Sequence, residues 1–276
     1  MARRRPRMAA LATLLLMGLT ACGTRAGAAG AAPPDALARI RAAGVLRVAI
    51  REDAPPMGFR RPEALLAEGF EIDLARALAT ALLGDPDKVA WVPAGTSRLL
   101  PLDAGAADVV LAGVVATPEL AADYRLSPPY YWSPVVVLAR RSTSLTSLRS
   151  LDGRFVAALP EDGAAGARLV AAAKQQGATV LLSPHLNAAA AVAAVQTGEA
   201  AALVTSRALA PAWLLSDPQL KMWQPGVGSI AYVAVVRSDE PSLAAAVDAA
   251  ISDLAGGPTW RAMLRKWGLP ITKQAP

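Results

Sequence analysis

The feature that most limits what this chain can become is the alternation, after residue 40, of short β-rich runs with longer runs of helical period. Strand-like runs fall at residues 45–50, 88–92, 108–112, 135–139, 155–159, 179–182, 202–205 and 230–236. Between the first two, residues 70–83 stack Leu74, Leu78 and Leu82 one turn apart, with Glu71 and Asp73 in the opening turn and Gly84 and Pro86 at the exit. Acids near a helix N-terminus complement its dipole, and glycine followed by proline ends it. Residues 188–195, 243–254 and 259–267 read as further helices, the first resting on alanine propensity as much as on period. Strands separated by helices predict an α/β sheet with helices on its faces. The run ending at Arg140-Arg141 and the run at 230–236 bracket a stretch long enough for a second compact unit. A unit inserted in this way is joined by two crossing strands, which creates a hinge and a cleft.

The N-terminus has its own logic. Arg3, Arg4, Arg5 and Arg7 precede an uncharged run from Met8 to Gly18, and small residues lead to Cys22. That order predicts a signal peptide over residues 1–21, with an apolar run too short to span a bilayer. Leu19-Thr20-Ala21-Cys22 reads as a lipobox, which makes Cys22, the sole cysteine, the lipidation site and new N-terminus. A lone cysteine in an exported chain makes no internal disulfide. Cleavage removes four arginines and no acids from a net charge of +6, leaving +2, so the basic balance argues for no nucleic-acid surface. Residues 22–39, rich in Gly and Ala with Pro33-Pro34, are expected to form a lipidated tether. The expected location is the cell envelope, anchored through the N-terminal lipid.

Short motifs then follow in a recognisable order: Gly44-Val45-Leu46-Arg47-Val48, Pro55-Pro56-Met57-Gly58-Phe59, Gly69-Phe70-Glu71-Ile72-Asp73-Leu74, Gly84-Asp85-Pro86-Asp87-Lys88-Val89 and Ser97-Arg98. They continue with Gly105 and Asp108, Thr117-Pro118-Glu119, Ser127-Pro128-Pro129-Tyr130, Leu151-Asp152-Gly153, Gly198 and Lys266-Trp267-Gly268. From about residue 43 to 269 the chain thereby resembles the family 3 extracellular solute-binding proteins, the amino-acid receptors of bacterial ABC importers. The resemblance implies a two-lobe periplasmic binding protein-like α/β fold with a hinge of two crossing strands. Lobe 1 is expected at residues 40–139 and 230–276, and lobe 2 at 140–229. The implied partners are a small polar solute and ABC permease and ATPase subunits, or a sensor protein read by lobe closure. The chain is expected to act as a monomer. Asp73, Asp108 and Asp152 are expected to serve caps and turns rather than ligands.

The family pattern breaks where it would grip a zwitterion. In relatives that take α-amino acids, an arginine three residues after the threonine of a Thr-x-Glu-Arg stretch holds the carboxylate, and an aspartate in lobe 2 holds the ammonium. Here those positions carry Leu120 and Ser206. The threonine of the lobe-1 carboxylate site falls on Val115, the stacking aromatic on Ala54, and the lobe-2 Gly-Thr turn on Glu161-Asp162-Gly163. A desolvated charge without a partner costs several kcal/mol, so the expected solute is not a standard α-amino acid. Arg98, at the position that in relatives favouring acidic amino acids reaches a carboxylate, and Arg51, at the end of the first strand, are placed to meet an anionic group. Glu161, Asp162 and Ser206 face it with acceptors for a cationic or hydroxylated end. Asp53, Gly113 and Trp132 complete the candidate set, Trp132 as a pocket wall or as hinge packing.

A catalytic role is not expected. His185, the only histidine, stands in Ser183-Pro184-His185-Leu186-Asn187 without a nucleophile motif, and one histidine with one export-committed cysteine makes no His- or Cys-rich metal site. No cofactor is expected. The alternatives to an import receptor are a sensory or assembly partner that uses ligand-driven closure, and a dehydratase-like enzyme on the same fold, for which paired carboxylates such as Glu119 and Glu161 would be the acid–base candidates.

Overall fold

A computed structural model describes residues 35–272, so the segment read as a signal, Cys22 and most of the stretch read as a tether lie outside the described residues. The described chain opens with α1 (Ala36–Ala43), β1 (Leu46–Ile50), the hairpin β2 (Asp53–Ala54) and β3 (Gly58–Phe59), α2 (Phe70–Leu83) and β4 (Val89–Pro93). It continues through α3 (Leu100–Asp103), β5 (Val109–Leu111), α4 (Pro118–Asp123), β6 (Tyr124–Leu126) and β7 (Tyr131–Arg140). A second set follows: β8 (Arg154–Ala158), α5 (Gly163–Gln175), β9 (Val180–Pro184), α6 (Ala188–Thr197), β10 (Ala202–Ser206), α7 (Ala210–Ser216) and β11 (Leu220–Trp223). The chain then returns through β12 (Ser229–Tyr232), β13 (Val235–Arg237), α8 (Pro241–Leu254) and α9 (Pro258–Lys266).

Two sheets result. The first runs β4-β1-β5-β13-β6, the second β11-β7-β10-β8-β9, and β12 pairs with the first half of β7. In the first sheet β4, β1 and β5 are parallel, with Val48 opposite both Trp91 and Val109. In the second, β9, β8 and β10 are parallel and β7 lies antiparallel to β10. Each sheet therefore has a strand whose successors fall first on one side of it and then on the other. β1 leads through α2 to β4 and then through α3 to β5; β8 leads through α5 to β9 and then through α6 to β10. Ligands in open α/β sheets bind outside the carboxyl ends of the strands at such reversals. Here the reversals lie between β1 and β5 and between β8 and β10.

The crossings differ from the expected ones in detail. The run read at 135–139 belongs to a ten-residue strand, β7. Its residues Tyr131–Pro134 pair with β12, while Val135–Arg140 pair with β10 and β11. Residues 135–139, given to lobe 1 by the expected boundary, thus lie in the second sheet, where Val135 to Ala139 are all buried between β10 and β11. The single strand read at 230–236 is two. Val233 N–H bonds the Val114 carbonyl at 3.0 Å and Ala234 N–H bonds Ser127 Oγ at 2.9 Å, which releases the chain from β7 and passes it to β5 and β6. Residues 36–39, assigned to the tether, are the first turn of α1. Asp35 caps that helix by accepting from Ala38 N–H, and Ala36 and Ile40 are buried.

Helix α2 forms over the expected span, closed by Gly84 in the left-handed region at φ 74°. Phe70, its first residue, is fully buried and stands edge-on to Trp260 with ring centroids 5.1 Å apart. The three aspartates read as fold residues all bind within the fold. Asp108 is paired by Arg47, with Nη2 2.5 Å from Oδ1, which locks β1 to the start of β5. Asp73 accepts from Lys266 Nζ and Trp267 Nε1, both at 2.7 Å, and Asp152 accepts from Thr179 N–H at 2.7 Å.

Candidate functional site

The two strand reversals bring their loops together in one narrow cleft. From the first sheet it is lined by Arg51, directly after β1, by Ala54 and Met57 of the hairpin, by Arg98 before α3, and by Gly113 just after β5. From the second sheet come Asp162, ahead of α5, and Leu209, ahead of α7. Tyr232, the last residue of crossing strand β12, closes the back. The cavity at the centre measures about 10 Å³, room for one water molecule. A solute larger than that needs a wider cleft than this one.

Arg51, Arg98, Gly113 and Asp162 are thus brought together as expected. Arg51 is largely buried and fork-bonded to Asp53, Nε to Oδ1 at 2.7 Å and Nη2 to Oδ2 at 3.1 Å. Burial pushes the Asp53 carboxyl up, but the Arg51 hydrogen bonds and charge outweigh it and hold the group below its ordinary value. Asp53 itself faces a larger neighbouring groove of about 650 Å³ shared with Glu52, Arg60 and Arg61, rather than the cleft. Arg98 Nη1 donates to the Gly113 carbonyl at 2.6 Å. Gly113 has φ 64°, a left-handed conformation that suits glycine, although a Cβ there would meet that guanidinium only at an ordinary contact distance of 3.7 Å. Asp162 is buried and accepts from Thr205 Oγ1 at 3.1 Å.

The other candidates stand elsewhere. Leu120 gives its N–H to the Thr117 hydroxyl and packs with the apolar cluster around Val110 and Val235, so it does not line the cleft. Val115 forms a bridge to Tyr232 behind the lining. Ser206 is fully buried one layer back, where its Oγ accepts from the Tyr232 hydroxyl at 2.8 Å. Trp132 pairs with Ala231 in the crossing, its carbonyl accepts from the Thr272 hydroxyl at 2.6 Å, and it is not among the residues lining the cleft. The Glu161 side chain lies outside the described residues. His185 Nε2 lies 3.1 Å from Ser183 Oγ at the end of edge strand β9, not in the cleft lining.

Beneath the cleft sits a group that the residue pattern does not reveal. Glu71, read as an opening-turn acid at a helix N-terminus, is entirely buried. Its Oε1 accepts from Gly113 N–H at 2.7 Å and from the Tyr130 hydroxyl in a short hydrogen bond. Burial holds the Glu71 pKa above the ordinary glutamate value, against the Tyr130 and Gly113 hydrogen bonds and the charges of Arg98 and Arg51. Tyr130 stacks on Tyr232 at 6.4 Å, and burial holds both phenols above their usual range. Nothing in local periodicity distinguishes Glu71 from Asp73, which meets α9 instead. Tyr232 likewise looks like an ordinary strand residue until β12 ends at the cleft.

Known proteins place the chain. Residues 46–270 match the bacterial extracellular solute-binding proteins, family 3. The chain is 21% identical over 264 residues to the ABC transporter glutamine-binding protein GlnH of Bacillus subtilis, covering 94% of this chain and 95% of that one. An ancestral arginine-binding protein bound to arginine superposes with a TM-score of 0.67 at 26% identity, covering 81% of this chain and 98% of its own. An ancestral amino acid-binding protein described as a precursor of cyclohexadienyl dehydratase shares the fold, with a TM-score of 0.68 at 24% identity over 85% of this chain and 99% of the other.

Proposed function

We propose that this chain, which belongs to the bacterial extracellular solute-binding proteins, family 3, is the exported, lipid-anchored binding component of an ABC-type importer, and that its solute is small, polar and not a standard α-amino acid. The observation that carries this reading is the opposition, across one hinge cleft, of Arg51 and Arg98 on the first lobe to Asp162 on the second. Two guanidinium groups favour an anionic end on the solute, and a buried carboxylate favours a cationic or hydroxylated end. Import by a partner permease and ATPase is supported by the ABC-transporter description of the Bacillus relative. Binding rather than catalysis is supported by the same likeness, and by the position of the one histidine, outside the cleft lining.

Exclusion of the standard amino acids rests on where two side chains go. Leu120 occupies the place of the family's carboxylate arginine and packs into the lobe-1 core. Ser206 occupies the place of the ammonium aspartate, and its hydroxyl is engaged by Tyr232. Calorimetry with the twenty standard amino acids is therefore expected to give no dissociation constant tighter than roughly 0.1 mM, or about −5.5 kcal/mol. Micromolar binding of any one of them would show that Arg51, Arg98 and Asp162 form a complete zwitterion clamp by themselves. A solute co-purified from the native host and identified by mass spectrometry would name the ligand directly.

The anchor is tested separately. With Cys22→Ser, the mature protein is expected in the soluble envelope fraction or medium, because a single residue carries the lipid. Continued sedimentation with membranes would remove the lipid from the reading and leave the cleft untouched.

A further inference from the structure

Glu71 stands where the floor of the cleft meets the hinge, and its two oxygens are used unequally. Oε1 takes both donors, Gly113 N–H from the loop after β5 and the Tyr130 hydroxyl from the segment that leads into β7. Oε2 is buried and has no hydrogen-bond partner. The Gly113 peptide is thereby held from both ends, its N–H by Glu71 and its carbonyl by Arg98. On the hinge side, Tyr130 N–H bonds the Tyr232 carbonyl at 3.0 Å, and Tyr232 reaches Ser206 of the second lobe.

Resting on the cleft assigned above, we propose that Glu71 is its positioning residue, setting the Gly113 peptide and through it the Arg98 guanidinium, and that a proton exchanged at Oε2 shifts both. The hydrogen-bond pattern explains how. A proton on Oε2 leaves Oε1 free to accept from Gly113 and Tyr130, so protonation breaks neither bond. Loss of that proton places a full negative charge under the same two donors, which strengthens both bonds and draws the nearby cations inward. The groups that act on it are Arg98 and Arg51 from the loops at the cleft, and the phenols of Tyr130 and Tyr232 at the hinge. Along α2 itself Asp73 is turned to α9, where Lys266 and Trp267 take it. Burial holds the Glu71 carboxyl above its ordinary value, which brings the exchange toward neutral pH. The consequence is that the grip of Arg98 on an anionic solute depends on pH through a residue that touches no solute.

The test needs no ligand. In the mature chain labelled with [15N]glycine, the Gly113 amide resonance is expected to titrate with an inflection above the usual glutamate range and to become flat with Glu71→Gln. Gln keeps an oxygen acceptor for both donors and removes the titrating proton, and a far-UV circular dichroism spectrum like that of the wild type checks that the variant is folded. Tyr130→Phe keeps the ring against Phe70 and Tyr232 but removes one hydrogen bond to the carboxylate, and is expected to move the inflection to higher pH. A Gly113 resonance indifferent to pH in the wild type, an unchanged titration in Glu71→Gln, or an inflection unmoved by Tyr130→Phe would each overturn the proposal. A second readout follows from linkage. A folded carboxyl held above its unfolded value stabilises at pH below the ordinary glutamate range, and that stabilisation is lost as pH rises through the folded value. Glu71→Gln should therefore flatten the corresponding fall in melting temperature. If the binding reading were wrong, the solute screens would fail while this titration persisted, so the two claims fall separately.

Discussion

Arg98→Ala should weaken binding of the co-purified solute by more than about 2 kcal/mol, roughly 30-fold, when measured by calorimetry at constant pH. Two losses combine. The solute's anionic group loses a fork of donors in a cleft where closure excludes water, and a buried charge stripped of its partner costs more than an exposed one. The Gly113 carbonyl also loses the hydrogen bond that now fixes it at 2.6 Å, so the loop after β5 is left without its outer restraint. Arg98→Lys separates the contributions. Lysine keeps the charge but not the planar fork, and should recover only part of the affinity. An unchanged dissociation constant for Arg98→Ala would move the anion site to Arg51, the other guanidinium lining the cleft.

Phe70→Ala should lower the unfolding free energy by about 3–5 kcal/mol, the range for deleting a buried aromatic ring. The ring is fully buried among Trp260, Tyr131 and Tyr130, at centroid distances of 5.1, 6.0 and 6.2 Å. Those neighbours come from α9 and from the hinge segment, so collapse around the missing ring would have to move elements that are fixed by other contacts. Denaturant titration should show a shifted midpoint with an unchanged slope, the signature of lost stability rather than of a changed unfolded state. A cost below about 1 kcal/mol would mean that α2 slides to fill the space. Because the same ring supports Tyr130, the variant should also loosen the Glu71 hydrogen bond, which the glycine resonance described above reads directly.

Much of the architecture is legible in residue order. The alternation of strand and helix periods specifies an α/β fold, and α2 occurs over the residues its leucine spacing marks, because a helix that buries one face must repeat apolar residues about every turn. The two-lobe plan is legible too, through the ordered motifs rather than through any one of them. The crossings are less so. A strand such as β7, buried on both faces, has no alternation to mark where one sheet ends and the next begins, and the step at Val233-Ala234 is made by hydrogen bonds to the Val114 carbonyl and the Ser127 hydroxyl, both outside the strand.

For the site, Arg51, Arg98, Gly113 and Asp162, picked out from their places in the ordered motifs, line one cleft because strand reversal fixes which loops converge. Leu120, Val115 and Ser206 stand where the sequence departs from the family pattern, and apolar packing, a strand bridge and the Tyr232 hydroxyl respectively engage them.

What the residues determine by themselves is local: period, capping and the order of elements. These depend on interactions between neighbours a few positions apart. Only the tertiary structure decides that Glu71, one turn-opening acid among several, is the one buried under Gly113 and Tyr130, residues 42 and 59 positions away. A carboxyl acquires its charge state from the groups and the water around it, and those are supplied by the fold.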